Sequence, residues 1–498
     1  MTNTGRNPLT IKENRFFDAY GRQVILHGIC LVDKNPKTKY QAYNDPAIFR
    51  QFREWGFNCV RLGIIWEGLE SQPVVLNAEY LKGIDSMINA AHENGLYVLL
   101  EMHQDLYSSV YGSGAPTWAT IIDEKIHYDV SDVRSDAYFT SPAVQAAFDH
   151  FWNNTNAIDR VGLQDHYAAV WKNIARRYAN HPAVIGYDIF NEPQPGAVSG
   201  HAQVVMFTKA AKMILEGGWL DEYFSQLPEN TDPVEALLHI WIAEEGRLKI
   251  LKIFEDLNLY QAFIESQQPF IHQFEKEKLM PMVRKMAKVI RKVDPAGFLF
   301  LETARAANAG LSTALETVQA DHGKKDPNQV FAPHIFDMVT GTSDLNSICP
   351  ARVEMIFKRH QESARRLDLP MFVGAWGAFG KQDNTLKHAL QLTELFEETQ
   401  CSDTYWSYFD GMEKAPSFPA IQRPYPMKIN GRLTSYHYDP EKEKFSLRWM
   451  EYGKSAQPTY VYLPDWFDVS QRTVSLSADT DYQLHPVTRN SKNTILAI

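Results

Sequence analysis

Short apolar runs alternate with longer stretches of helical periodicity along most of the chain. The clearest run covers residues 185–190 and is followed by Asn191, Glu192 and Pro193. A proline disfavours continuation of a helix or a central strand, so this pattern indicates a buried parallel strand that ends by presenting a carboxylate.

Eight runs of this kind are separated by segments long enough to form helices. They cover residues 24–27, 59–62, 97–102, 185–190, 298–301, 330–333, 371–374 and 404–408. Eight parallel strands with helices between them close into a barrel. We therefore predict an α/β fold, a (β/α)8 TIM barrel over residues 1–420, with functional side chains at the carboxyl ends of its strands.

The pattern changes near residue 421. Runs such as residues 445–449 and 459–463 alternate apolar and polar positions, and prolines and an Asp-Pro turn lie between such runs. This alternation is typical of half-buried antiparallel strands, so we predict a C-terminal antiparallel β-sandwich over residues 421–498.

One connection in the predicted barrel is unusually long. It runs from Asn191 to Phe298, whereas a whole βαβ unit takes about 30 residues or slightly more. Helical periodicity follows a capping Asp232 and Pro233, so we predict a helical insertion at about residues 215–290. It is either an extra helical pair on the barrel flank or an apolar lid able to cover a lipid-like group.

Composition narrows the class of partner. The net charge of −10 argues against a nucleic-acid partner and against electrostatic docking on anionic lipid. Scattered cysteines without CxxC spacing indicate neither a disulfide framework nor a zinc site, so we expect no metal and no cofactor. No run of 18 apolar residues predicts a membrane span.

Polar side chains recur at the predicted strand ends, as a barrel active site requires. They are Arg61, His103, Asp105, Asn191, Glu192, His334 and Trp406. Glycoside hydrolysis needs two carboxylates across the scissile bond, one of them protonated. Glu192 suits the role of the protonated carboxylate, the general acid. The second carboxylate should end the seventh strand, but that position holds Ala375.

These motifs together resemble glycoside hydrolase family 5 of clan A, most closely its endoglycoceramidase-like branch. The supporting stretches are 58–62, 102–105, 148–152, 190–193, 332–334 and 373–377. The resemblance implies a retaining β-glycosidase that cleaves between glycan and ceramide in glycosphingolipids, with Glu192 as acid/base and Ala375 at the nucleophile position.

The resemblance also implies roles for the remaining site residues. Those expected to contact substrate are Lys34, His103, Asp105, Trp152, Asn191, His334 and Trp406. Arg61, together with His334, would brace the nucleophile. Each assignment has a structural alternative: an ion-pair partner for Arg61, a core residue for His103 or Trp152, and a solvated side chain for Lys34.

Two departures from the family pattern bear on activity. Ala375 cannot attack an anomeric carbon, so the chain is either a deliberate nucleophile deletion or a natural pseudoenzyme that only binds glycolipid. Phe336 stands where many members have a tyrosine. A β-glucosidase, a steryl glucosidase and an ordinary polysaccharide hydrolase of the same family remain alternatives.

The expected partner is a glycosphingolipid or another β-glycoside with an apolar aglycone. Peripheral contact with a membrane or micelle fits such a substrate, and we expect a monomer. The amino terminus has no apolar signal-like run, which predicts a cytoplasmic protein, or a secreted one after removal of a leader.

Overall fold

The computed structural model describes residues 8–128, 134–225, 231–320, 323–342, 345–451, 457–476, 481–489 and 491–498. The strands are β1 (Leu9–Lys12), β2 (Arg15–Asp18), β3 (Gln23–Val24), β4 (His27–Leu31), β5 (Cys59–Ile65), β6 (Tyr97–His103), β7 (Val184–Asp188), β8 (Phe298–Leu301), β9 (Gln329–Phe331), β10 (His334–Ile335), β11 (Phe372–Gly377), β12 (Ser402–Trp406), β13 (Tyr425–Ile429), β14 (Arg432–Asp439), β15 (Lys444–Met450), β16 (Tyr460–Leu463), β17 (Gln483–Pro486) and β18 (Thr494–Ala497).

The helices follow the same order. They are α1 (Pro46–Glu54), α2 (Trp66–Leu69), α3 (Ala78–Glu93), α4 (Ala137–Thr140), α5 (Pro142–Trp152), α6 (Leu163–Tyr178), α7 (Gly196–Gly217), α8 (Asp221–Phe224), α9 (Pro233–Ile242), α10 (Glu244–Ile253), α11 (Leu257–Glu265), α12 (Gln268–Phe274), α13 (Met280–Arg291), α14 (Pro350–Leu367), α15 (Leu386–Thr399) and α16 (Phe418–Ile421). A π-helical turn, Glu275–Leu279, joins α12 to α13.

A closed parallel barrel forms from β4 to β12. The last strand, β12, pairs in parallel with the first, β4. β9 and β10 are two pieces of one strand, pairing with β8 and β11 respectively. The break falls at Ala332 and Pro333, because proline has no N–H to donate to the ladder. Eight strand positions therefore close the sheet, which confirms the predicted (β/α)8 TIM barrel.

Local sequence determines the helices of the barrel ring, as α3 illustrates. The Asn77 side chain accepts hydrogen bonds from the backbone N–H groups of Glu79 and Tyr80, which caps the first turn. Ile84 and Ile88 lie on the buried face one turn apart. Just beyond the helix, Gly95 adopts a positive φ of 68°, a conformation that glycine takes most readily.

The C-terminal region forms the predicted antiparallel sandwich. A seven-stranded sheet has the order β1-β2-β3-β13-β16-β18-β17, and the β14–β15 hairpin packs on it through buried apolar side chains. The prediction for the amino terminus was wrong. Residues 9–24 were assigned to the barrel, but Val24 pairs with Lys428 in this sheet, and the first barrel strand begins at His27.

The long connection is helical, as predicted, but it differs in extent. Helix α7 already begins at Gly196, and α13, included in the predicted insertion, packs against α6 in the ring of barrel helices. Helices α7, α9, α10 and α11 have their own apolar core, which includes Ile214, Leu237 and Phe254. Within the described ranges, no helix has the length and apolarity needed to cross a bilayer.

Candidate active site

Glu192 lies just beyond the carboxyl end of β7, at the mouth of the barrel. Its Oε1 accepts hydrogen bonds from Nδ2 of Asn308 at 2.6 Å and Nδ1 of His334 at 3.0 Å. Nε of Arg305 lies 3.3 Å from its Oε2. The backbone of Glu192 has a positive φ of 43°, a strained conformation for a non-glycine residue that concentrates at functional sites.

The surroundings of Glu192 favour the ionised carboxylate. Burial raises the pKa of Glu192, but the hydrogen bond from His334 and the charges of Arg305 and His334 together lower it below its usual value. The buried imidazole of His334 is in turn stabilised as a cation. Burial lowers its pKa, but Glu302 and Glu192 raise it to about 9. At neutral pH these two groups therefore form a charged pair.

Ala375 lies beside this pair. In the parallel ladder between β10 and β11, His334 is opposite Ala375. The same cavity is lined by Ala375 and Glu192. Phe336 also lines it and meets the His334 ring edge-on at 6.0 Å, so this residue supplies no hydroxyl to the site.

Arg61 organises a buried charged layer below the cavity. Its Nη2 contacts Asp188 Oδ2 at 2.8 Å and Glu302 Oε1 at 2.6 Å, and its Nη1 lies 3.4 Å from Glu101 Oε2. Burial and the negative charge of Glu302 raise the pKa of Asp188 well above its usual value, and the charge of Arg61 acts in the opposite direction. The structure therefore gives Arg61 the ion-pair role that was its structural alternative, directly beneath the active site.

A second group of predicted residues forms one wall of the cavity. Lys34 Nζ lies 2.7 Å from Asp105 Oδ2 and 5.1 Å from the ring centre of Trp406. His103 stacks on Trp406 with ring centres 5.3 Å apart, and its Nδ1 contacts Glu101 at 2.6 Å. The structure thus brings Lys34, His103, Asp105 and Trp406 together.

Asn191 connects the wall to the charged layer. Its Oδ1 accepts a hydrogen bond from Arg61 Nη2 at 3.2 Å, and its Nδ2 donates to the Gln104 carbonyl at 3.0 Å. Its side chain is therefore oriented from below, and the residue lines the cavity next to Glu192.

The predicted sugar contact of Trp152 is not supported. Trp152 is buried among Phe148, Phe190 and Phe274, and it does not line the cavity. Its indole N–H donates to the Gln194 carbonyl at 2.9 Å. Because aromatic packing and this hydrogen bond fix the ring in the core, Trp152 supports the loop that follows Glu192.

The cavity, of about 440 Å³, has two chemically different ends. The polar end is lined by Lys34, His103, Asp105, Asn191, Glu192, His334, Ala375 and Trp406. The other end is lined by apolar side chains of the helical insertion, namely Met206, Phe207, Leu237, Trp241, Ile250, Phe254, Tyr260, Phe263 and Ile264. The insertion therefore contributes apolar side chains to the cavity itself, as an apolar lid beside the site would.

Sequence reasoning missed Asn308 and Arg305 as partners of Glu192, and for Glu302 it left open distal sugar contact or simple solvation. Asn308 and Arg305 lie in a short segment after β8 that has no strand or helix periodicity. Glu302 follows β8 and carried the strand-end signal, but it faces inward, where it binds Arg61 and accepts from the Glu192 N–H at 2.8 Å. Across the described parts of the chain, no cluster of His, Cys, Asp or Glu could hold a metal ion.

Curated relatives match part of the chain. Endoglycoceramidase I of Rhodococcus hoagii is 32% identical over 182 residues, which is 36% of this chain and 36% of that protein. Endoglycoceramidase of Hydra vulgaris is 30% identical over 230 residues, 40% of this chain and 42% of that protein. The match thus spans about two fifths or less of the length of either relative.

Solved structures match nearly the whole fold. Endo-glycoceramidase II from Rhodococcus sp. superposes with a TM-score of 0.68 at 21% identity, covering 96% of this chain and 95% of that one. An endogalactoceramidase superposes with a TM-score of 0.63 at 20% identity, covering 98% and 97%. At this level of identity the likeness concerns the fold.

Family models account for most of the sequence. The model described as cellulase (glycosyl hydrolase family 5) matches residues 17–218 and 258–411, leaving out part of the helical insertion. The glycoside hydrolase family 5 C-terminal domain matches residues 423–496. The chain therefore belongs to glycoside hydrolase family 5.

Proposed function

We propose that this chain has the active site of a retaining β-glycosidase that cleaves glycosphingolipids between glycan and ceramide, with Ala375 in place of the nucleophilic glutamate. The shape and lining of the cavity support this proposal most directly. A single cavity joins the carboxylate of Glu192 at its polar end to the apolar side chains of the helical insertion at its other end. A sugar joined to a lipid has the same division of polarity.

The geometry supports a double-displacement reaction. Retention requires two carboxyl groups about 5–5.5 Å apart, one attacking the anomeric carbon while the other protonates the leaving oxygen. His334 is hydrogen bonded to Glu192 and lies opposite Ala375 in the ladder. A glutamate at position 375 would therefore enter the same cavity, and His334 would lie between it and Glu192.

The missing carboxylate also explains the protonation state of Glu192. Its pKa is low here because the hydrogen bond from His334 and the charges of Arg305 and His334 outweigh burial. A second carboxylate nearby would raise that pKa by like-charge repulsion, since both groups resist being ionised together. Restoring Glu at position 375 would therefore supply the nucleophile and shift Glu192 toward the protonated acid.

The remaining polar residues suit one pyranose ring. Trp406 offers an aromatic face, and Lys34 with Asp105 places a donor and an acceptor beside it. Asn191, held by Arg61, is positioned to hydrogen bond the sugar 2-hydroxyl, a contact that strengthens in the oxocarbenium-like transition state.

Contact with a membrane or micelle is part of the same proposal. Helices α7 and α9 line the apolar end of the cavity. On their outer side, and in the turn after α7, four apolar side chains are exposed: Val198 (42%), Val204 (56%), Trp219 (47%) and Ile242 (48%). A lipid surface is the favoured occupant of this rim, because the apolar part of a glycolipid would pass from there directly into the cavity.

The test restores the nucleophile. Ala375→Glu should hydrolyse one or more of glucosylceramide, galactosylceramide, a ganglioside and a steryl glucoside, and the choice among them identifies the sugar and aglycone. The double variant Ala375→Glu/Glu192→Gln is the matched control and should be inactive on the same substrates. Cleavage of cellulose without cleavage of any glycolipid would favour a polysaccharide hydrolase, and no cleavage of any β-glycoside would refute the hydrolase.

A second candidate function follows from Ala375 itself. A chain with an intact sugar site and no nucleophile can bind glycolipid without consuming it. In that case the parent chain should bind glucosylceramide in micelles, leave it intact, and give no more than trace activity after Ala375→Glu. High activity of the restored variant would favour the glycosidase.

A further inference from the structure

One buried amide side chain lies within the apolar end of the cavity. Gln267 is 4% exposed and lines the cavity together with Met206 and Phe263. Gln203 lines it too, but that residue is only half-buried. Transfer of an amide into an apolar environment is unfavourable unless hydrogen bonds compensate for the loss of water. The hydrogen-bond partners of Gln267 therefore bear on what this end of the cavity can bind.

The protein satisfies little of the hydrogen-bonding capacity of Gln267. Its Nε2 donates to Sδ of Met206 at 3.3 Å, and a thioether is a weak acceptor. Its Oε1 accepts no hydrogen bond from any residue that the structure describes. Although Gln267 directly precedes α12, its side chain does not cap that helix. The amide oxygen is therefore an acceptor without a described protein partner at the wall of the cavity.

A continuous wall leads from Glu192 to this amide. Nδ2 of Asn308 donates to Glu192 at 2.6 Å. The carbonyl of the next residue, Ala309, accepts from the Tyr260 hydroxyl of α11 at 2.6 Å. Helix α11 ends just before Gln267, and all five residues line the cavity. The first part of a lipid joined to a sugar at Glu192 would therefore lie along this wall.

The candidate lipids differ in the hydrogen-bond donors that they carry. In a glycosylated sphingoid lipid, an amide N–H and a hydroxyl lie on the two carbons that follow the carbon joined to the glycosidic oxygen. A sterol joined to a sugar through its hydroxyl retains no N–H or O–H, and a simple alkyl chain has none. Of these lipids, the sphingoid alone can donate to the amide oxygen of Gln267.

We infer that Gln267 is a specificity-determining residue for the lipid. Its amide oxygen accepts a hydrogen bond from the N–H or the hydroxyl of a sphingoid and thereby disfavours sterols and alkyl chains. A site that hydrogen bonds one group discriminates against analogues without it, because the polar atom of the site is then left unpaired. The inference rests on the proposed function, since it takes the sugar to be bound beside Glu192.

The experiment compares lipid binding by the parent chain and Gln267→Leu, using calorimetric titration in micelles of a detergent that carries no sugar. Gln267→Leu should lower the affinity for glucosylceramide about five- to tenfold, because one buried hydrogen bond is lost. Its affinity for a steryl glucoside and an alkyl β-glucoside should equal or exceed that of the parent. Gln273→Leu makes the same change at an exposed position of α12 and should bind every ligand as the parent does.

Changes in the ligand identify the donor. An analogue of glucosylceramide with an ester in place of the amide lacks the N–H, and a second analogue lacks the hydroxyl. At least one of them should bind the parent about five- to tenfold more weakly than glucosylceramide does. That difference should be absent in Gln267→Leu, because both changes remove the same contact. The two analogues also test the inference on the parent alone, should Gln267→Leu fail to fold.

Three results would overturn the inference. Equal losses of affinity for glucosylceramide and the steryl glucoside in Gln267→Leu would make Gln267 a packing residue. Full affinity of the parent for both analogues would exclude the hydrogen bond, and no binding of glucosylceramide would exclude the site. None of these measurements requires hydrolysis. An inactive Ala375→Glu would therefore refute the proposed glycosidase and leave the binding result valid.

Discussion

Nδ1 of His334 lies 3.0 Å from Oε1 of Glu192, and both groups are charged at neutral pH. The pair is mostly shielded from solvent, so its titration is coupled to the stability of the barrel.

Stability should depend on the charge of His334. Its folded pKa of about 9 exceeds the unfolded value of about 6.5. Its contribution is therefore complete below about pH 6.5 and is lost as pH rises through about 9. Between these limits we expect the free energy of unfolding of the parent to fall by about 3 kcal/mol relative to His334→Gln.

Urea unfolding at a series of pH values measures this difference. His239→Gln is the control, because the side chain of His239 is 66% exposed, and it should follow the parent curve. Parallel pH curves for the parent and His334→Gln would contradict the assignment of a charged His334.

Removing Arg61 should destabilise the barrel strongly. Arg61→Met removes the buried cation shared by Glu101, Asp188 and Glu302, and breaking such a buried charge network typically costs about 3–5 kcal/mol. Lys82→Met, which breaks the exposed pair with Glu79, should leave stability unchanged within error. Chemical denaturation compares the two. Equal changes in the free energy of unfolding for Arg61→Met and Lys82→Met would contradict this prediction. They would mean that the buried carboxylates around position 61 become protonated without cost.

The lipid end of the cavity can be tested with neighbouring residues. Trp241 lines the cavity, whereas Ile242 is 48% exposed and does not. Trp241→Ala should weaken binding of glucosylceramide in micelles about tenfold or more, because apolar burial is lost. Binding of a water-soluble β-glucoside should be unchanged. Ile242→Ala reports the exposed rim and should weaken micelle binding less than Trp241→Ala does, so an equal loss in the two variants would place the lipid on the outer surface.

Substitutions of the two tryptophans with predicted sugar contacts should affect different properties of the protein. Trp406→Ala should lower affinity for a soluble disaccharide about tenfold, with little effect on stability. Trp152→Phe should lower the free energy of unfolding by about 1–3 kcal/mol, because the Gln194 carbonyl loses its buried donor. The affinity of Trp152→Phe for the disaccharide should equal that of the parent. Calorimetric titration and denaturation distinguish the two, and loss of sugar binding in Trp152→Phe alone would reverse the assignment.

The barrel was predictable because each strand is an apolar run followed by polar residues. Its first strand was misplaced, since Val24 and His27 lie close in sequence but belong to different sheets. The sequence could suggest Lys34, Asp105 and Trp406 as site residues, because polar strand ends converge at one rim.

Side-chain direction could not be deduced in the same way. Glu302 follows its strand much as Glu192 does, yet it points inward to Arg61. Asn308 contacts Glu192 from a segment without periodicity. Trp152 carried a family motif, but its position in an aromatic core depends on Phe190 and Phe274, which are distant in sequence.

The pairing of Val24 with Lys428 joins positions 404 apart in the chain (428 − 24). At a translation rate of about 5–20 residues per second, the amino-terminal strands wait roughly 20–80 s for their partner β13 to be made. During that time β3, paired on one side with β2, presents its other edge unpaired, a surface prone to association with other chains. Efficient production of this protein should therefore benefit from chaperones that bind nascent chains, and a separately expressed segment 421–498 would leave β13 exposed at the edge of an incomplete sheet.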